Sequence, residues 1–171
     1  MTDYTGGLRS RLIHDSLFRM LEDSLDQLGW FDGQPGRENV RITPEPLPLN
    51  REIPLNTIAL ADFDMDENEA ELGSDFTEVS WGFYVDFYAA DKSIGIHLIN
   101  DVRDILRGKM YSIGRQGPVL EVYDWTLATP VPIFTCQIED VIIDKPEIAA
   151  DTWLKNWYSC RFLLIDNYYG S

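Results

Sequence analysis

Between Phe76 and Lys109 the hydrophobic period of the chain changes, and that change restricts the fold more than any other stretch. In FTEVSWGFYVDFY, Val79, Trp81, Phe83, Val85 and Phe87 share one parity, while Glu78, Ser80, Gly82, Tyr84, Asp86 and Tyr88 share the other. Such alternation, rich in aromatic and β-branched residues, marks a strand with one buried face. From Asp91 onward the apolar residues Ile94, Leu98, Val102, Ile105 and Leu106 recur every three or four positions, which lines one side of a helix. Asp91 is placed to cap the free N–H groups of the first turn. Arg103, Arg107 and Lys109 suit the negative end of the helix dipole, and Gly108 offers a stop. A long strand feeding an amphipathic helix predicts a sheet with a helix laid on it.

The remaining segments supply further strands and one more helix. Residues 7–28 carry a broad apolar stripe (Leu8, Leu12, Ile13, Leu17, Met20, Leu21, Leu25, Leu28) with Gly29 behind it, and predict an N-terminal helix. Its polar side is expected to hold Arg9, Arg11, Asp15, Glu22 and Asp23. WFDGQPGREN is loop chemistry, and Val40–Thr43 is a short strand candidate. The prolines of PEPLPLNREIP confine that segment to an extended connection or a sheet edge. Asn56–Asp62 predicts a strand, followed by the acidic linker DFDMDENEAELGSD as a solvated hairpin loop over residues 62–75. After a loop in MYSIGRQGP come strands in VLEVYDW, in IFTCQIEDVIID and in WLKNWYSCRFLLID, joined by TLATPVP and by a turn in PEIAADT. In the second of these strands Phe134, Cys136 and Ile138 share a parity that Val141 and Ile143 do not, which predicts a bulge or sharp twist near Asp140. Three strands in series with short connections predict an antiparallel meander. The fold expected is α+β: one domain over residues 1–171, with a single twisted, mainly antiparallel sheet on which the N-terminal and central helices pack.

Charge narrows the function. The formal net charge is −15, which argues against a surface that grips nucleic acid, since phosphate binding needs a basic patch. From Glu52 to Asp91 no Lys, Arg or His occurs. The acids there read as a solvated surface or as one that repels DNA. Asp64, Asp66, Glu67, Glu69 and Glu71 are the candidate interaction residues of this linker. The Asp64, Asp66, Asn68 spacing resembles the start of a calcium loop, but the frame from Asp64 puts Glu69 and Asp75 at its sixth and twelfth positions. The frame from Asp62 puts Glu67 and Gly73 there. Neither supplies the required Gly and Glu.

The chain has no nucleotide loop, nucleophile elbow or zinc-protease motif, and its two histidines, His14 and His97, lie on helical segments without a nucleophile beside them. Cys136 and Cys160 lie in strand-like segments that could set them face to face across a sheet, but they read first as reduced core residues. No metal site, cofactor or catalytic residue is expected, and the protein reads as a non-enzyme. No apolar run nears the roughly 20 residues that span a bilayer, and MTDYTGGLRSRLIHD lacks the apolar core of a signal peptide, so an intracellular protein without membrane contact is expected. The five tryptophans and eight tyrosines suit either a dense core or a protein interface, with Tyr84 and Tyr88 on the outward face of the central strand.

Several stretches together carry a resemblance: RLIHDSLFRMLEDSLDQLGWFD, REIPLNTIALA, FTEVSWGFYVDFYAADKSIGIHLINDVRDILRG, VLEVYDWTLATPVPIFTCQIEDVIID and the Trp/Tyr-rich final strand. In these, and in their order, the chain resembles the tail terminator proteins of long-tailed bacteriophages, in particular those of actinobacterial phages. Stopper, adaptor and tail tube proteins share comparable patterns. The resemblance implies a virion structural protein of the neck, assembled in the host cytoplasm as a hexameric ring. Such a ring caps the tail tube, stops its elongation and joins it to the connector or stopper of the head. Its acidic channel passes DNA without binding it.

Overall fold

The change of period at Asp91 is realised as a strand that ends and a helix that begins. The computed structural model describes residues 6–32, 40–46, 56–69, 76–89, 91–109, 118–144 and 157–169. In chain order these form α1 (Gly6–Gln27), β1 (Arg41–Thr43), β2 (Thr57–Glu69), β3 (Phe76–Tyr88), α2 (Lys92–Leu106), β4 (Val119–Tyr123), β5 (Pro132–Asp144) and β6 (Trp157–Tyr169). The Asp91 carboxylate accepts from Ile94 N at 2.9 Å, as an N-cap should. Both helices stop the same way. Gly29 and Gly108 take positive φ (76° and 69°), Trp30 N donates to Leu25 O, and Lys109 N donates to Asp104 O. This is the Schellman arrangement, which satisfies carbonyls that a helix end leaves unpaired.

The protein is α+β. Its six strands form one sheet in the order β1-β2-β3-β6-β5-β4, antiparallel throughout except for β1 beside β2. The meander β4-β5-β6 therefore docks through its last strand onto β3. The alternation in β3 divides the sheet's faces: Phe83, Val85 and Phe87 are buried in one core with Phe162, Leu164, Leu98, Ile99 and Val102. Phe83 and Phe162, directly paired across strands, stack at 5.9 Å. The bulge expected near Asp140 is present. The β5–β6 register shifts between Glu139 and Ile142, Asp140 has φ 51°, and Arg107 at the end of α2 donates to Val141 O at 2.8 Å.

Three expectations are corrected. The acidic segment is not a loop over 62–75: β2 continues to Glu69, and only residues 70–75, outside the described residues, connect it to β3. Asp, Asn and Glu are poor strand formers, but the ladder to β3, which resumes after a register shift between Asp62 and Asp64, overrides that preference. Second, Arg9 does not lie on the polar side of α1. It is 8% exposed, and its Nη2 donates to Asp166 Oδ1 at 2.6 Å while its Nε donates to Oδ2 of the same, fully buried carboxylate. The guanidinium also lies 3.5 Å from the centroid of the Phe134 ring. Third, the closing strand runs Trp157–Tyr169 rather than ending at Asp166. The expected loop in 110–117, the turn in 146–152 and most of the proline-rich connection lie outside the described residues.

Helix α2 approaches the sheet most closely at Gly95. A Cβ added there would fall on the Tyr158 ring and 3.1 Å from the Cβ of Ala89. Gly95→Ala is therefore expected to destabilise the fold by about 1–3 kcal/mol through overpacking, although the same change in an open helix stabilises by about 1 kcal/mol. Urea unfolding checks it, and an unchanged or raised midpoint would remove the close approach. Arg9→Met strands the Asp166 carboxylate and should cost about 3–5 kcal/mol, most of it regained when Asp166→Leu is added. A loss under about 1 kcal/mol in the single variant would mean that the pair contributes no more than a surface one.

Candidate functional site

The candidate residues sit on an arm of the sheet. β5 pairs with β4 along Pro132–Gln137 and with β6 along Gln137–Asp144, so it parts from β6 beyond the Gln137–Ile165 pair. β6 continues beside β3 as far as the Phe76–Tyr169 pair, and β2 follows β3 on the other side. Three strands thus continue together as an arm parted from the β4–β5 pair. Asp64 and Asp66 stand opposite Gly82 and Ser80, and Glu67 and Glu69 opposite Val79 and Thr77. A register shift between Asp62 and Asp64 begins this acidic half of the ladder. Glu71 lies outside the described residues. Residues 62–69, 76–83 and 163–169 of the arm contain no Lys, Arg or His.

Among the described residues β2 also presents an open edge. β1 covers it only from Thr57 to Ala59, and along Leu60–Glu69 no other strand among the described residues pairs with it. A run of main-chain donors and acceptors of this length can accept another strand. The sequence of this edge is acidic, with Asp62, Asp64, Asp66, Glu67 and Glu69.

Groups with nucleophilic or acid–base potential are dispersed. His97 Nε2 is 3.8 Å from Asp101 Oδ2, and that oxygen accepts from Trp30 Nε1 at 2.8 Å. His14 lies on α1, 3.8 Å from Asp15. Cys136 and Cys160 are free and buried, and they pair with Leu120 and Ile143 rather than with each other. Burial pushes the Cys160 thiol up to about 12 against the pull of Arg107 and Arg103. Burial, with the Asp166 charge, pushes the Cys136 thiol up as well. Thiols held protonated are poor nucleophiles. An open hollow of about 410 Å³ is lined by Arg107, Pro118, Ile138, Asp140, Val141 and Ile142, and another of about 330 Å³ lies between α1 and β1. Neither holds a His or Cys among these lining residues. Among the described residues no three His, Cys, Asp or Glu side chains converge on a metal position, and no helix is long and apolar enough to cross a membrane.

The face of the sheet opposite the helices carries a second group, centred on Asp86. Cross-strand register puts Ala59, Asp86, Ser159 and Asp144 in one row, with Thr57, Tyr88 and Trp157 in the row beside it. Trp157 Nε1 donates to Asp86 Oδ1 at 3.2 Å, Ser159 also donates to the carboxylate, and the Tyr88 and Trp157 rings stack at 5.3 Å. Burial raises the Asp86 pKa from its ordinary value, outweighing both hydrogen bonds. Burial and the Asp86 charge push the Tyr88 phenol up in turn. The alternation of β3 reveals that Tyr84, Asp86 and Tyr88 share a face. Nothing local in the sequence reveals that Trp157, Ser159 and Thr57 join them, because their alignment depends on pairing between distant strands.

The chain matches no protein-family model and no curated protein.

A folded-state pKa above the unfolded value means that Asp86 favours folding in its neutral form, at low pH, and that this contribution is lost as pH rises through the folded-state pKa. Asp86→Asn keeps an acceptor for Trp157 without the charge. Its unfolding midpoint should exceed that of the wild type at pH 7, and the difference should close towards pH 3, below the ordinary Asp value of about 3.9. Equal midpoints across that range would show that burial imposes no penalty on the charge.

Proposed function

We propose that the protein is a tail terminator: a non-enzymatic virion protein that closes into a ring, caps the tail tube, stops its elongation and joins tail to head. The resemblance of nearly the whole chain to that family supports this reading. The observation that carries it is the open acidic edge of β2. Two such edges repel each other, so neighbouring copies would meet through unlike surfaces. Head-to-tail contact between unlike surfaces is the arrangement that generates rings. A net charge of −15, with a cation-free arm, suits a channel wall that holds phosphates off during DNA passage. The partners in this reading are other copies of the chain, the tail tube protein and the head connector or stopper. DNA passes without specific contact.

Light scattering and negative-stain imaging of the purified protein, alone and with short tail tubes, test the proposal. Closed rings of about six copies, or density on one end of each tube, are the expected result. A strict monomer that leaves tubes uncapped would overturn it, and binding to the head connector alone would assign a stopper role instead. Replacing Asp64, Asp66, Glu67 and Glu69 together with Lys should abolish ring closure while leaving the protomer folded by circular dichroism.

A further inference from the structure

We infer that the edge of β2 in one copy pairs antiparallel with the outer edge of β5 in the next, so that the sheet continues from subunit to subunit. The inference rests on the ring reading and names the two unlike surfaces that meet. β4 covers β5 only as far as Ile138, whose N donates to Pro118 O at 2.8 Å. From Glu139 to Asp144, β5 has β6 on one side and, among the described residues, no strand on the other. Open space lies against that edge. The hollow of about 410 Å³ is lined there by Ile138, Asp140, Val141 and Ile142, and Ile142 is 46% exposed.

Cross-strand register sets the two edges at the same height. Leu60, Val85, Cys160 and Ile143 stand in one row, and Ala61, Tyr84, Arg161 and Ile142 in the next. Asp64, Gly82, Leu163 and Glu139 form the row that ends the shared stretch. β1 leaves β2 at Ala59, just before the first of these rows. Each edge also carries its bulge beside the Phe162 row, between Asp62 and Asp64 on β2 and between Glu139 and Ile142 on β5. Bulges bend strands, so both edges bend at the same level. Three antiparallel steps separate β2 from β5, which therefore run in opposite directions. A copy repeated head-to-tail brings them together antiparallel.

Level pairing sets Leu60 against Ile143 and Ala61 against Ile142, which covers the exposed isoleucine. Asp62 falls in the Phe162 row, where Arg107 donates to Val141 O at 2.8 Å and has no ion pair among the described residues. Its guanidinium keeps further donors for a carboxylate. Glu139 is exposed, so water screens the like-charged Asp64–Glu139 row.

The test oxidises the full chain carrying Ala61→Cys and Ile142→Cys and separates it on non-reducing gels, with light scattering and tube capping measured in parallel. Directly opposed residues of an antiparallel pair lie within disulfide reach. Inside one chain the same two positions are three strand spacings apart, roughly 14 Å, too far to bridge. The double variant should give a ladder of linked copies. The two single variants should give dimers only when mixed, and the wild type, with both cysteines buried, should give none. Arg107→Glu should weaken assembly about tenfold, and Asp62→Arg added to it should restore the loss. Rings that form without cross-links overturn the inference and leave the ring reading standing. Dimers from either single variant alone overturn it as well, since like edges would then be meeting. Linked copies that leave tubes uncapped uphold the edge pairing and remove the terminator role. A protein that neither assembles nor cross-links overturns both.

Discussion

The bidentate pair between Arg9 and Asp166 holds the architecture at the point where it would otherwise come apart. β5 and β6 are hydrogen-bonded neighbours up to Ile165, and the next residue of β6 is Asp166. There the guanidinium of Arg9 bonds the carboxylate while lying on the Phe134 ring of β5. It wedges the fork between two diverging strands and fastens the start of α1 to both. A buried ion pair is not by itself a source of stability, because desolvating the two charges offsets much of their attraction. Its role is geometric. A planar fork of donors matched to a carboxylate admits one orientation of the helix over the fork.

Much of the fold was legible because it is written in local periods. The alternation of β3, the three-to-four spacing of α2, the Asp91 cap, the glycines after both helices and the parity change at Asp140 each correspond to an observed feature. Two kinds of information were not legible. Arg9 looked like a solvent residue because helical spacing says which residues share a face, not which partner waits opposite. The acidic half of β2 looked like a loop because its composition disfavours strand, whereas its conformation is set by the ladder to β3. The group around Asp86 combines both limits. Its central strand could be read, but its Trp157, Ser159 and Thr57 neighbours come from strands whose order the sequence does not state.

The two faces of the sheet solve different problems. Beneath the helices, apolar side chains are interdigitated and the buried Arg9–Asp166 charges compensate each other. On the other face a half-buried carboxylate, a buried hydroxyl without a hydrogen-bond partner and an aromatic stack sit together. Burying polar groups of this kind carries a stability penalty that the apolar face does not incur.

The position of β6 has a kinetic meaning. It is the last strand in sequence and yet one of the two at the middle of the sheet, between β3 and β5. The β2–β3 hairpin and the β4–β5 pair need only nearby partners, whereas the seam between β3 and β6 joins residues as distant as Phe83 and Phe162. Closing so long a loop is slow, so the two locally formed ribbons wait with unsatisfied edges until the final strand arrives. During that interval the acid on β2 acts as a gatekeeper: like-charged hairpins from different chains repel rather than add to one another.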